Sequence, residues 1–469
     1  MAALLLLLTL GSGRPAWTGR LKRVAVVLGP AWSGVPVPAR NGLKLLLEDL
    51  AETAGATVLE ADPGRSPAPE LTVLTLEGDF GNAGLRLRAR LQEPARDLRD
   101  LTPVEADPRR QMESFLAVAG LRSPAAGSVL PSEPGDLLPL AGAYGTALLG
   151  GDEAAKAAEP GVEALAARDP GCATAALARA EAIHRDLLED GQAPLNAQAD
   201  CAQAFDAALA LVPGFPRAAR YAGRFYTDTG NQRQAMRILF ESARRWPQAP
   251  ALRSGLAYAA RTTGLLPGAL GALRAASDLE GRAPSGQALT ENTYLYTGQW
   301  DRFDTSLGPG SPDRPDPLGD FYRGYLRLLE GRRPEALACF RQAALPAGVN
   351  VPFEQLAKAY VWALDGHRPE AVLTLRTLLQ ARKGLRVPDG EFSFKIAEAF
   401  GFAGDPEDAM DTAQLAFSQG FGCTDWYART PFLSELHGLP RWRALIDHLQ
   451  ARQQLLEREF PPERFEGAP

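Results

Sequence analysis

The sequence is poor in the residues from which most catalytic and metal sites are built. Its 469 residues include four histidines and four cysteines. No C-x-x-C pair is present, and no histidine stands three or four residues from a cysteine, as zinc sites require. We interpret Cys172, Cys201, Cys339 and Cys423 as small buried residues, with a disulfide between the first two as the alternative in an oxidising compartment.

An excess of basic charge is also missing. Lys plus Arg total 50 against 56 Asp plus Glu, which gives a formal charge of −6, and only six of the basic residues are lysine. A pI near 5.5 means that the chain has no overall positive charge to attract a phosphate backbone, so we expect no nucleic acid partner. With 45% hydrophobic and 23% charged residues, the composition is that of a folded chain.

Long apolar runs are absent too, so the sequence predicts no transmembrane segment. Residues 2–10 have the length of a signal-peptide apolar region, and Gly11 and Gly13 provide small residues for cleavage. No Lys or Arg precedes this run, whereas a leader normally begins with positive charge. We treat residues 1–20 as a candidate leader and favour an exported or periplasmic location over a cytoplasmic one.

Motifs for phosphate, nucleophilic and metal chemistry are likewise missing. There is no G-x-x-x-x-G-K-[ST], no G-x-S-x-G and no H-E-x-x-H. The glycines from Gly78 to Gly84 lie between two predicted strands, where a turn is expected and a phosphate loop is not. Each histidine is isolated on a predicted helix or turn: His184, His367, His437 and His448. We predict no enzyme activity, no catalytic residue, no cofactor and no metal.

Residues 21–122 predict a small α/β domain. A strand over residues 23–28, a helix over about 39–54 and a strand over 57–59 form a unit whose two strands should pair in parallel. Residues 71–76 and 85–91 flank a Gly- and Asn-rich turn and predict a β-hairpin. A short strand near 101–105 and a helix starting at Asp107-Pro108 and ending near Gly120 complete the domain.

The second hairpin strand alternates apolar residues with Arg86, Arg88 and Arg90. We prefer a solvated strand face as its explanation, with contact to an anionic partner as the alternative. The opening R-V-A-V-V-L strand, the L-R-L-R-A-R-L strand and the closing helix resemble the N-terminal domain of the Tol-system propeller protein. That family usually continues its first strand into P-F, whereas Gly29-Pro30 follows here.

A periodic signal begins after residues 123–136, which are rich in Pro, Ser and Gly and predict a linker. A turn glycine is followed five residues later by alanine, as at Gly230/Ala235, Gly264/Ala269, Gly331/Ala336, Gly366/Ala371 and Gly404/Ala409. With Gly298 included, successive glycines are 34, 34, 33, 35 and 38 residues apart. A period near 34 is that of tetratricopeptide repeats.

This pattern resembles the tetratricopeptide repeat family over residues 137–419. The resemblance implies antiparallel helix pairs stacked into a right-handed superhelix, with a concave groove that takes up a peptide or a protein surface. We therefore predict an α+β protein overall: a small N-terminal α/β domain followed by an all-α solenoid. The repeat near residues 298–317 is degenerate, residues 420–460 should cap the array, and residues 461–469 should form a disordered tail.

These features predict a non-catalytic scaffold that binds a protein or peptide in the groove of the array. Tyrosines of the first helices in the repeats are the candidate groove contacts: Tyr221, Tyr226, Tyr258 and Tyr294. The alternative is a ligand-sensing or cell-envelope assembly module that acts through the α/β domain. The sequence leaves the partner's identity and the oligomeric state open.

Overall fold

The structure, a computed structural model, describes residues 22–59, 71–94, 96, 98–103, 105–150, 152–189, 193–280, 288–308, 316–346 and 351–466. The candidate leader at residues 1–20 lies outside these ranges. So does most of the loop in the degenerate repeat.

The described chain forms one sheet and a long series of helices. The strands are β1 (Arg23–Ser33), β2 (Thr57–Val58), β3 (Thr72–Gly81), β4 (Gly84–Gln92) and β5 (Arg99–Leu101). The first helices are α1 (Val37–Thr53), α2 (Pro108–Val118) and α3 (Ala126–Val129). The paired helices are α4 (Leu137–Leu149), α5 (Asp152–Arg168), α6 (Ala173–Glu189), α7 (Ala197–Leu211), α8 (Pro216–Asp228), α9 (Gln232–Arg245), α10 (Pro250–Thr262), α11 (Leu266–Glu280), α12 (Ala288–Tyr296), α13 (Trp300–Leu307), α14 (Pro317–Leu329), α15 (Arg333–Ala343), α16 (Val351–Leu364), α17 (Arg368–Arg382), α18 (Gly390–Ala403) and α19 (Pro406–Ser418). The last helices are α20 (Thr424–Arg429) and α21 (Pro440–Glu459).

The sheet has the strand order β2-β1-β3-β4-β5. β1 pairs in parallel with β2 and β3, while β3 and β4 form an antiparallel hairpin. The predicted α/β topology is therefore confirmed, although the last strand lies a few residues earlier than expected. The arginines of β4 face acidic residues of β3, since Arg90 lies 2.9 Å from Glu77 and Arg88 lies 3.7 Å from Asp79. These cross-strand pairs reduce the net charge of the basic row.

Helices α4 to α19 pair in sequence as helix–turn–helix units, so the predicted α+β fold with a helical repeat array is confirmed. The turn glycines between paired helices have positive φ, including 80° at Gly230 and 84° at Gly264, which few other residues adopt without strain. Small residues inside the pairs allow close approach: a Cβ on Gly223 would lie 2.7 Å from the Leu239 side chain. The periodic small residues of the sequence have this packing role.

α1 joins the sheet to the helical array. It covers the sheet as the crossover between β1 and β2, and its other side packs antiparallel to α4. The backbones touch here, because a Cβ on Gly42 would overlap the carbonyl oxygen of Ala141 and one on Gly145 would overlap that of Pro38. A single hydrophobic core consequently extends from Val24 in β1 into the array.

The segment predicted as a linker packs against the array. Val129 and Leu130 are buried, and the hydroxyl of Thr174 in α6 donates a hydrogen bond of 2.6 Å to the Val129 carbonyl. The chain end packs as well: in the segment predicted to be disordered, Phe465 is fully buried beside Gly268 and the ring of Phe240. Aromatic burial of this kind leaves no periodic signal in a short terminal sequence.

A substitution at the α1–α4 contact tests this junction. Gly42→Ala should lower the free energy of unfolding by about 1–3 kcal/mol, because the added methyl group forces the two backbones apart. Gly161→Ala in α5 is the matched control, since no atom lies within 4 Å of its new Cβ. The control should gain about 0.5–1 kcal/mol from helix propensity. Equal effects of the two changes in urea denaturation would contradict the described contact.

Acidic residues of α1 are buried at the same junction. Asp49 accepts a hydrogen bond from Arg217 of α8 at 2.5 Å and one from the Tyr144 hydroxyl at 2.7 Å. Glu48 lies 3.1 Å from the same guanidinium. Glu52 is 6% exposed, and its burial raises its pKa to about 8 although the charge of Arg217 opposes the shift. Glu52 is therefore mostly protonated at neutral pH.

The raised pKa of Glu52 predicts a pH dependence of stability. The folded state keeps a proton that the unfolded chain loses near its ordinary pKa of 4.5, so the stability contribution of Glu52 is lost as pH rises towards 8. Glu52→Gln should match the wild type at about pH 5 and exceed it by a few kcal/mol at about pH 9. The exposed Glu113→Gln should match the wild type at both values. Urea denaturation at each pH is the measurement, and an unchanged slope in Glu52→Gln would contradict the assignment.

Candidate protein-binding surfaces

The four tyrosines predicted as groove contacts have different neighbours. Tyr258 is buried, and its hydroxyl donates a hydrogen bond to Asp228. Tyr221 is partly exposed and lies beneath the guanidinium of Arg220. Tyr226 is also partly exposed, and burial, followed by the nearby Asp206 and Cys201 of α7, raises its pKa to about 12. The partly exposed ring of Tyr294 lies 5.9 Å from the guanidinium of Arg302.

α18 is linked by hydrogen bonds to α10 and α12, the helices that carry Tyr258 and Tyr294, and all residues from Gly390 to Phe400 are buried. Its Glu391 accepts hydrogen bonds from Arg261 of α10 at 2.5 Å, from Asn292 at 2.9 Å and from the Tyr296 hydroxyl at 2.6 Å. Burial alone would raise the pKa of Glu391, but the charge of Arg261 and these hydrogen bonds hold it below its ordinary value. The carboxylate is therefore charged, and both of its oxygens accept hydrogen bonds.

A second buried cluster surrounds Lys395, one turn further along α18. Its ammonium group donates to Glu398 at 2.8 Å and to the Tyr325 hydroxyl at 3.0 Å, and it lies 4.0 Å from the centre of the Tyr325 ring. Burial lowers the pKa of Lys395, while the charge of Glu398 opposes that shift. Glu398 also accepts hydrogen bonds from Trp426 and Thr430 in the C-terminal cap. The two clusters together connect α18 to α10, α12, α14 and the C-terminal cap.

Polar contacts continue towards the first repeats. His184 of α6 is buried, with Nδ1 3.4 Å from a Glu181 oxygen and Nε2 3.9 Å from an Asp228 oxygen. Burial raises the pKa of Asp228 even though Arg224 and His184 act in the opposite direction. Buried polar residues of α6 and α8 therefore lie beside one another inside the array.

Hydrogen bonds to backbone carbonyl groups also connect distant parts of the array. Gln232 donates to the Gly420 carbonyl at 2.7 Å, and the Gly422 amide donates to the Thr262 carbonyl at 2.7 Å. Gln453 of α21 donates to the Gly264 carbonyl at 3.2 Å. The turns after α8 and α10 therefore contact the segment between α19 and α20. The C-terminal segment therefore packs back against the repeats that contain α8 and α10.

These interior residues were not predicted from the sequence. Glu391, Lys395 and Glu398 stand in the otherwise apolar stretch E-F-S-F-K-I-A-E-A-F, so charges within an all-round apolar helix were an available signal. Their partners on other elements lie 28 to 130 positions away in the sequence and could not be predicted from local spacing.

A surface cavity lies where the α/β domain meets the array. It measures about 430 Å³ and is bounded by β3, α1 and α4, and its lining is almost entirely apolar: Pro36, Pro38, Ala39, Phe80, Gly135, Leu138, Pro139, Gly142 and Thr146. Phe80 is 47% exposed and the neighbouring Val37 is 60% exposed. Exposed apolar side chains around a concavity are typical of binding surfaces.

The described residues contain no cluster of His, Cys, Asp or Glu arranged to hold a metal ion. None of their helices combines the length and apolar character needed to cross a membrane. All four cysteines are free; Cys201 donates to the Ala180 carbonyl at 3.3 Å, and burial raises the pKa of its thiol.

No protein-family model matches the chain, and no curated protein matches it. Among solved structures, the chain is similar to the TPR domain of P58(IPK), with 16% sequence identity and a TM-score of 0.18, over 76% of this chain and 96% of that one. At this TM-score the likeness adds nothing to the fold assignment, which rests on the helix pairs themselves.

The Arg261–Glu391 pair provides a test of the closed interior. Arg261→Met should cost about 3–5 kcal/mol because it leaves a buried carboxylate without its counter-charge, and Arg261→Met with Glu391→Gln should cost less than the sum of the single changes. The exposed pair Arg341–Asp365 is the control and should couple by no more than about 1 kcal/mol.

The pair also has a pH signature. Because the pKa of Glu391 is lowered in the folded state, its contribution is present above the ordinary value of 4.5 and is lost as pH falls through the lowered value. The contact would be contradicted if the unfolding free-energy changes of Arg261→Met and Glu391→Gln, measured by urea denaturation, summed to that of the double variant.

Proposed function

We propose that this chain is a non-catalytic protein-interaction scaffold that contacts its partner at the apolar cavity between the α/β domain and the array. The observation that supports this placement is the exposed Phe80 beside a cavity of about 430 Å³. A partner segment that inserted an apolar side chain there would bury Phe80 and Val37 as well. Burial of such rings is the largest contribution to many interfaces.

The filled interior favours this external surface over the groove. A partner that entered between α10 and α18 would have to expose Phe392, Phe394, Ile396 and Phe400 and separate the buried ion pairs. Each buried side chain contributes about 1.5–3 kcal/mol, so displacement would cost on the order of the whole stability of a domain. Tyr221, Tyr226, Tyr258 and Tyr294, predicted from the sequence as groove contacts, do not line the cavity beside Phe80 and are therefore not part of the proposed surface.

The same cavity supports a second candidate, the ligand-sensing or envelope-assembly role of the α/β domain. Its volume lies within the range of roughly 300–1,000 Å³ found for small-molecule sites. In that case a neutral apolar compound, rather than a polypeptide, would bind against Phe80. A protein partner that competes with a neutral environment-sensitive dye would favour the scaffold.

Matched surface substitutions test the proposal. Phe80→Ser should remove a defined partner from the set captured by the purified full chain, because it deletes the apolar contact at the cavity. Leu195→Ser is the control, since Leu195 is the more exposed residue at 86% and lies elsewhere. Quantitative mass spectrometry of the captured proteins is the measurement. Identical captured sets for both variants and the wild type would contradict the proposed surface.

A further inference from the structure

A second surface cavity, of about 500 Å³, contains a buried arginine whose charge is not balanced. The cavity lies between α9, α10 and the end of α21 and is lined by Arg237, Phe240, Glu241, Ala243, Arg244, Arg253, Glu459, Phe460 and Arg464. Arg253 is 7% exposed. Among the described residues, none forms a hydrogen bond or an ion pair with its guanidinium.

The position of Arg253 calls for an explanation, because a buried cation without a counter-charge is costly and is rarely kept in a folded protein. Burial alone lowers the pKa of Arg253, and no carboxylate offsets the shift. Its nitrogens are not among the sealed polar atoms of the core, so they open to the cavity. A ligand in the cavity could therefore reach them directly.

Two other arginines are fixed at the rim of the same cavity. Arg237 donates to Glu459 at 2.9 Å. Arg464 donates to the Glu459 carbonyl at 2.8 Å, and its guanidinium lies 5.0 Å from the Phe240 ring. Phe240 and Phe460 stack with centres 5.6 Å apart, which holds the end of α21 against α9. The rim is thus ordered before any ligand binds.

The charge balance identifies the ligand class. The lining contains four arginines and two glutamates, which leaves two positive charges. A phosphate monoester carries about −1.5 to −2 at pH 7, and its oxygens match the hydrogen-bonding fork of arginine. We propose that this cavity is a binding site for a phosphate monoester, with Arg253 as its central ligand and Arg244 and Arg464 at its entrance.

The phosphate could be carried by a small molecule or by a phosphorylated side chain of a partner protein, and both would present the same group to Arg253. Phenyl phosphate and a phosphoserine peptide serve as the two probes, with the unphosphorylated peptide, acetate and chloride at equal ionic strength as controls. Equal affinity for phenyl phosphate and the phosphopeptide indicates a small-molecule source, whereas tighter binding of the phosphopeptide indicates a protein source.

The experiment measures the melting temperature of the full chain and, by calorimetry, the affinity for each probe. Wild type should be stabilised by at least one phosphate probe and not by acetate or chloride. Arg253→Met should keep or raise the melting temperature without ligand, since it removes an unpaired buried charge, and should lose the phosphate-dependent shift. The exposed Arg245→Met on α9, which does not line the cavity, should retain it.

Several results would overturn the proposal. These are an acetate shift equal to that with phosphate, no shift with either phosphate probe, and a phosphate shift that persists in Arg253→Met. A fall in the melting temperature of ligand-free Arg253→Met would likewise show that Arg253 has a structural partner and is not held ready for a ligand. None of these outcomes depends on Phe80, so failure here is distinguishable from failure of the proposed scaffold function.

Discussion

The burial of α18 inside the helical array is the constraint on which the rest of the structure depends. A helix with apolar residues on every side and three charged residues within it can be buried only if each charge finds a partner. Arg261, Asn292 and Tyr296 engage Glu391, while Tyr325, Trp426 and Thr430 engage the Lys395–Glu398 pair. These partners come from α10, α12, α14 and the C-terminal cap, so satisfying the charges of α18 fixes the positions of these elements relative to it.

This packing around α18 determines which surfaces a partner can reach. In an open array the inner face would be the natural binding surface, whereas here it is filled by the chain's own repeats and by the segment between α19 and α20. Two accessible cavities of the described residues differ in character. One, beside Phe80, is apolar, and the other, around Arg253, is cationic. Their different chemistry suits two different ligands.

Much of the fold follows from local sequence. The turn glycines require positive φ and recur with the repeat period, and the β-branched and alternating strands predict the sheet topology, so both features were readable without the structure. The closed arrangement of the array could not be predicted from the sequence, because it depends on contacts such as Arg261–Glu391, whose residues are 130 positions apart. The four tyrosines predicted as groove contacts show why. The repeat pattern assigns a residue to one face of its helix, but the neighbouring helices determine whether that face is exposed.

A cross-linking measurement tests the closed array most directly. Arg233 lies 2.5 Å from Glu459, although 226 residues separate them in sequence. A protein with Arg233→Cys and Glu459→Cys, treated with a short bismaleimide, should give a high yield of one intramolecular product. A control with Arg233→Cys and Arg443→Cys, which places the second cysteine at the start of α21, should give little. Equal yields for the two pairs would show that the C-terminal repeats do not return to α9 and would contradict the closed interior.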